Sequence, residues 1–173
     1  MIMKKSALAI ACSTLLTVMS FQTFASNASD FVDDASAKGI AEIEGGKLAL
    51  EKGQSADVKK FAQQMIDDHT AANAKLKALA AEKKLEVADD AELMSKAKEL
   101  ILKLRDGESF DQAYANNQVV AHEQAIELFR EQAEKGEDAD LKAFAKTTLP
   151  KLEGHLKMAK DLSAAHGGDA HKE

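Results

Sequence analysis

Histidine is scarce in this chain, five among 173 residues, and three of the five share one pattern. His69 falls on the stripe Val58, Phe61, Met65, Ala72, Leu76 and Leu79, and His122 on Val119, Ile126 and Phe129. His155 falls on Leu141, Phe144, Thr148, Leu152, Ala159 and Leu162. Steps of three or four put each imidazole on the inward face of its own helix. Counted from the glycine turns at Gly53 and Gly136, at about 1.5 Å per residue, the three stand within roughly one helical turn of the same depth. Glu42 reaches that depth from a fourth helix, and Asp68 adjoins His69. Bundles hold metal ions with imidazoles and carboxylates that converge in this way. The candidate ligands are therefore His69, His122 and His155, with Glu42 or Asp68 as a carboxylate. One divalent transition metal (zinc, copper, iron or nickel) suits such a set better than calcium or magnesium. Imidazole binds metal only when neutral, so occupancy is expected to fall below pH about 6.5. The competing reading makes each histidine a core residue satisfied by a carboxylate or carbonyl. The sequence leaves both open.

Other chemistries are disfavoured. Di-iron oxidases built in helical bundles place Glu three residues before each ligating His, and here those positions are Ile66, Val119 and Leu152. The single cysteine, Cys12, lies in a segment expected to be removed, which leaves no thiolate nucleophile, disulfide or Cys-ligated metal. No Ser stands in a strand-to-helix elbow, so no catalytic residue is assigned and enzyme activity is not expected. The net charge is −6, there is no Trp and one Tyr, and basic residues alternate with acidic ones. An acidic surface without a stacking platform excludes nucleic acid as a partner.

The elements that must carry these side chains are helices. Pro occurs once and the chain is dominated by Ala, Leu, Lys and Glu. Gly and Ser or Asp punctuate it near Gly53 to Ser55, Leu85 to Asp90, Asp106 to Ser109 and Gly136 to Asp138. Four long helices are expected over about 30–52, 56–84, 109–135 and 139–164, with a short one over about 90–105. Pro150 lies inside the last long helix and should bend it near His155. The two halves match without a gap at a shift of 83 positions: Ile43-Glu44 on Ile126-Glu127, Glu51-Lys52-Gly53 on Glu134-Lys135-Gly136, and Phe61-Ala62 on Phe144-Ala145. One helical hairpin thus occurs twice. The expected fold is all-α, a ferritin-like four-helix bundle of two repeated hairpins joined by a short crossover helix, with both hairpin turns at one end.

The N-terminus reads as an address. Lys4 and Lys5 precede an apolar run from Ala7 to Val18, shorter than the about 20 residues of a membrane span, and small residues follow it. A signal peptide over 1–25, cut before Ser26, is expected, and with it a secreted protein of the Gram-negative periplasm without a transmembrane anchor. The bundle then occupies 26–165, and a solvated tail with His166 and His171 fills 166–173. A protein partner or a second copy of the chain stays open.

Several segments together resemble the bacterial ferritin-like "domain of unknown function 4142" family. They are Phe31-Val32, Ala41-Glu42-Ile43-Glu44, Val58-Lys59-Lys60-Phe61-Ala62, Met65-Ile66-Asp67-Asp68-His69, Phe110-Asp111, Tyr114, Val119, His122 and Thr148-Leu149-Pro150-Lys151-Leu152 followed by His155. The resemblance implies the ferritin-like fold and a periplasmic or outer-membrane setting, and its name declares no function. Two positions depart from the family pattern: Ala121 stands where Asp usually precedes the histidine, and Gln118 where Met is usual. A role carried by that Asp does not transfer to this chain.

Overall fold

The computed structural model describes residues 19–91 and 93–167. Its elements are α1 (Met19–Lys52), α2 (Ala56–Lys83), α3 (Leu93–Lys103), α4 (Gly107–Lys135) and α5 (Ala139–Ala165). Helix starts and stops fall where the punctuation puts them, except that α1 begins at Met19 instead of near residue 30. No helix breaker separates the expected leader from the first bundle helix, so one helix runs through the expected cut site. Residues 1–18, which carry most of the expected signal peptide, and residues 168–173, with His171, lie outside the described residues. Among the described residues no helix is long and apolar enough to cross a membrane.

The second helix of each hairpin begins with its own polar device. Asp138 accepts from the backbone N–H groups of Asp140 and Leu141, satisfying two donors the first turn of α5 leaves over, a cap of about 1 kcal/mol. Ser55 occupies the same place in the first repeat but does not cap α2 with its own side chain. The buried carboxylate of Asp111, on α4, instead holds the turn before α2: it accepts from the N–H of Gln54, the N–H of Ser55 and the Ser55 hydroxyl at 3.0, 2.8 and 2.6 Å.

That bond set overturns the expected placement of the turns. The first turn packs against the beginning of α4, whereas the second is tied by Lys83 at the end of α2, which pairs with Asp138 and Asp140. The turns therefore sit at opposite ends, and α1 and α5 run against α2 and α4. The crossover is responsible. An eleven-residue helix covers ~16 Å, and extended chain about 3.3 Å per residue, so the segment between α2 and α4 returns the length of the bundle. It is pinned on α1 by Ser36, whose hydroxyl accepts from the Ala88 N–H, and by Lys52, whose ammonium donates to the carbonyls of Lys103 and Arg105.

The repeat is visible in the core. One apolar cluster holds Val58, Phe61, Ala62, Tyr114 and Ala115. The other holds their counterparts at the 83-residue shift, Leu141, Phe144, Ala145, Phe31 and Val32. Two hairpins related by a two-fold axis across the bundle give this result, one cluster at each end. The polar layer between them contains the three histidines. α5 continues unbroken through Pro150.

Candidate metal centre

His69 from α2, His122 from α4 and His155 from α5 meet at mid-bundle. Their ring centroids are 5.7, 5.6 and 5.4 Å apart pairwise, and one nitrogen of each lies within 4.8 Å of the other two. All three are buried, His69 at 8% exposure and the others below it. The near-equal depth survives the opposite polarity of the turns because each histidine stands near the middle of its helix. A position at the middle has the same level whichever end it is counted from.

Hydrogen bonds fix which nitrogen is left free in His122 and His155. His122 Nδ1 lies 2.9 Å from the backbone carbonyl of Gln118, one turn earlier on α4. A carbonyl only accepts, so Nδ1 carries the proton and Nε2 carries the lone pair. His155 Nε2 lies 2.9 Å from Asp68 Oδ2, so it donates there and leaves Nδ1 bare. His122 Nε2, His155 Nδ1 and His69 Nε2 are buried without a partner. A carboxylate or carbonyl behind a ligating imidazole is the usual means of fixing its tautomer and raising its basicity.

Burial favours the neutral form of His69 and His155. Burial pushes His69 down to about 3, and the neighbouring His122 and His155 push in the same direction. Burial lowers His155 as well, partly offset by its bond to Asp68. Asp68 stays below the usual carboxylate range: burial would raise it, but Lys151, 2.7 Å from its other oxygen, and His155 outweigh that. A neutral imidazole is the form that binds a metal.

Of the sequence candidates, the structure gathers His69, His122 and His155 into one group. Asp68 stands behind His155 and holds it, instead of joining the group as a ligand. Glu42, 7% exposed, lines the same cavity from α1, with one carboxylate oxygen unpartnered. Residues that sequence reasoning did not assign to the site are Lys151, Tyr114 and Gln118. Tyr114 and Gln118 lie eight and four residues before His122, the helical spacing that puts them on its face. That spacing was the available signal. The Tyr114 phenol is raised well above 10, by burial and by the charge of Glu42, so it remains protonated.

The cavity measures about 100 Å³. Among the described residues, six buried side-chain atoms lack a hydrogen-bond partner: the three imidazole nitrogens, Glu42 Oε2, Gln118 Oε1 and the Tyr114 hydroxyl. All six belong to residues lining this one cavity. Buried polar groups are ordinarily satisfied, and each one left alone costs about 1–3 kcal/mol. Such a concentration in one place makes this cavity the candidate ligand site.

The family model "Domain of unknown function (DUF4142)" matches residues 15–162. No curated protein matches. The fold is similar to that of a DUF305 protein from Streptomyces coelicolor, at TM-score 0.73 and 15% identity, over 85% of this chain and 96% of that one. It is also similar to a conserved hypothetical protein from Mycobacterium tuberculosis, at TM-score 0.62 and 17% identity, over 81% of this chain and 92% of that one. At such identities the likeness supports the fold alone.

Proposed function

Because the chain belongs to the DUF4142 family, whose description assigns no activity, we propose a function from the site itself: an exported helical protein that holds one divalent transition metal at mid-bundle. The ligating atoms are His69 Nε2, His122 Nε2 and His155 Nδ1. The observation that carries the reading is that these three nitrogens, each on a different helix, are buried without a hydrogen-bond partner, in three imidazoles that each bring a nitrogen within 4.8 Å of the other two. Zinc and copper fit three imidazoles best, and iron and nickel are accommodated by the same donors. The absence of any Glu three residues before these histidines argues against di-iron oxygen chemistry. Export to the periplasm rests on the leader-like N-terminus, and intact mass of the secreted protein should show a chain that starts at Ser26.

The test is metal content and thermal stability of the purified protein in a background where His166 and His171 are replaced by Gln. Zinc at a hundredfold excess over its dissociation constant should stabilise by about 2.7 kcal/mol. Replacing His69, His122 and His155 together by Leu should abolish that gain while circular dichroism still reports a helical fold. A protein that carries no metal and gains no stability with zinc or copper refutes the proposal. A second reading, action by protein contact, draws on the end of α3 and the residue after it, where Leu100, Ile101 and Leu104 are exposed at 62, 57 and 86%.

A further inference from the structure

Three nitrogens leave a four-coordinate metal one ligand short, which is the arrangement of sites that exchange ligands and not of closed structural ones. Helices α2, α4 and α5 each supply one imidazole, so the uncommitted side faces α1. There α1 presents small residues, Ala35, Gly39 and Gly45, around one buried carboxylate, Glu42, while the less buried Lys38 and Glu44 also line the cavity. Opposite, Tyr114, Gln118 and His122 form one stripe of α4. Glu42 Oε2, Gln118 Oε1 and the Tyr114 hydroxyl are the three oxygens left without partners in this cavity.

We propose that the metal keeps one exchangeable position facing α1, and that a small neutral protic ligand, a water molecule at rest, fills it, held by Glu42, Gln118 and Tyr114. The inference rests on the metal reading above. Hydrogen-bond counting supports it. Glu42 and Gln118 offer acceptors, and the Tyr114 phenol offers a donor. Water has two protons for the two acceptors, one lone pair for the phenol and one for the metal. The cavity of about 100 Å³ has room for it and for ligands a few atoms larger. The carboxylate also sets selectivity, because its negative charge opposes any anion that enters the same position.

Cobalt(II) and azide probe this in the full chain with His166 and His171 replaced by Gln. One cobalt per chain should bind and give a four-coordinate visible spectrum, which azide should change as it displaces the neutral ligand. Glu42→Gln should keep cobalt affinity within about threefold and tighten azide by about tenfold, because the opposing charge is gone. Glu42→Asp keeps the charge and should bind azide as the unsubstituted chain does. A spectrum indifferent to azide in all three proteins overturns the exchangeable position. Loss of cobalt affinity by a hundredfold in Glu42→Gln makes Glu42 a metal ligand and overturns its assigned role. Two cobalt ions per chain would mean that the oxygen set holds a cation of its own, which also refutes it. A chain that takes no cobalt while zinc still raises its thermal stability sinks this inference alone; failure with every metal sinks the metal reading first.

Discussion

Acid should unfold the metal-free protein in a pH range set by its buried histidines. In the unfolded chain His69 takes up a proton below about pH 6.5, whereas in the folded one burial and the neighbouring imidazoles hold it neutral down to about 3. Between those values the unfolded state binds more protons, so stability is full above pH 6.5 and falls as pH drops. The slope is about 1.4 kcal/mol per pH unit for one proton, or ~2–3 kcal/mol between pH 6.5 and 4.5 from His69 alone. His155 is lowered too and adds loss of the same sign. Asp57, Asp68 and Asp138 are held below 3.8. Their stabilisation is present above the unfolded value and is lost only as pH falls beneath it, so the window above pH 4.5 reports histidine. Urea denaturation in the presence of a chelator, repeated across this window, measures the slope. His69→Leu should flatten it by about one proton. An identical slope in the variant and the original chain would refute the reasoning, because His69 would then titrate alike folded and unfolded.

The same lowering should move metal release on acidification well below pH 6.5, readable by dialysis of the zinc form at stepped pH; release centred at 6.5 would show ordinary imidazoles. Asp68→Ala removes the acceptor that fixes the His155 tautomer and should weaken zinc about 10- to 100-fold in a competition titration without lowering the metal-free melting temperature by more than a few degrees. Asp111→Ala strips the turn between α1 and α2 of the three bonds it makes to α4 and should cost about 1–3 kcal/mol in urea denaturation. At Gly46 an added Cβ would stand 2.8 Å from Ile66 and 3.0 Å from the Ala62 carbonyl, so Gly46→Val should destabilise the α1–α2 contact by about 1–3 kcal/mol on the same measurement.

The helices, their ends and the repeated hairpin were legible because they rest on local signals: apolar residues at steps of three or four, and Gly followed by Ser or Asp. The polarity of the halves was not. The apolar pattern of Val58 and Phe61 is satisfied equally by a neighbour running either way, and only long-range bonds, Asp111 to Ser55 and Lys83 to Asp138, distinguish the two. The depth of His69, His122 and His155 was legible despite that error, since a mid-helix position is insensitive to direction. Asp68 adjoins His69 in sequence, yet its side chain serves His155, 87 positions on, because neighbours along a helix point about 100° apart. The place of Lys151, paired with Asp68 across two helices, carries no local signature. His166 was expected in a solvated tail; it closes the end of α5 and lies 3.2 Å from Asp57 on α2.

The most direct measurement is X-ray absorption at the zinc edge of the zinc-loaded full chain with His166 and His171 replaced by Gln. The account predicts one zinc per chain, a first shell at about 2.0–2.1 Å with the multiple scattering of three imidazoles, and one further light ligand. Zinc that dialyses away, or a shell of oxygens without imidazole scattering, would contradict it and return His69, His122 and His155 to the role of buried core residues.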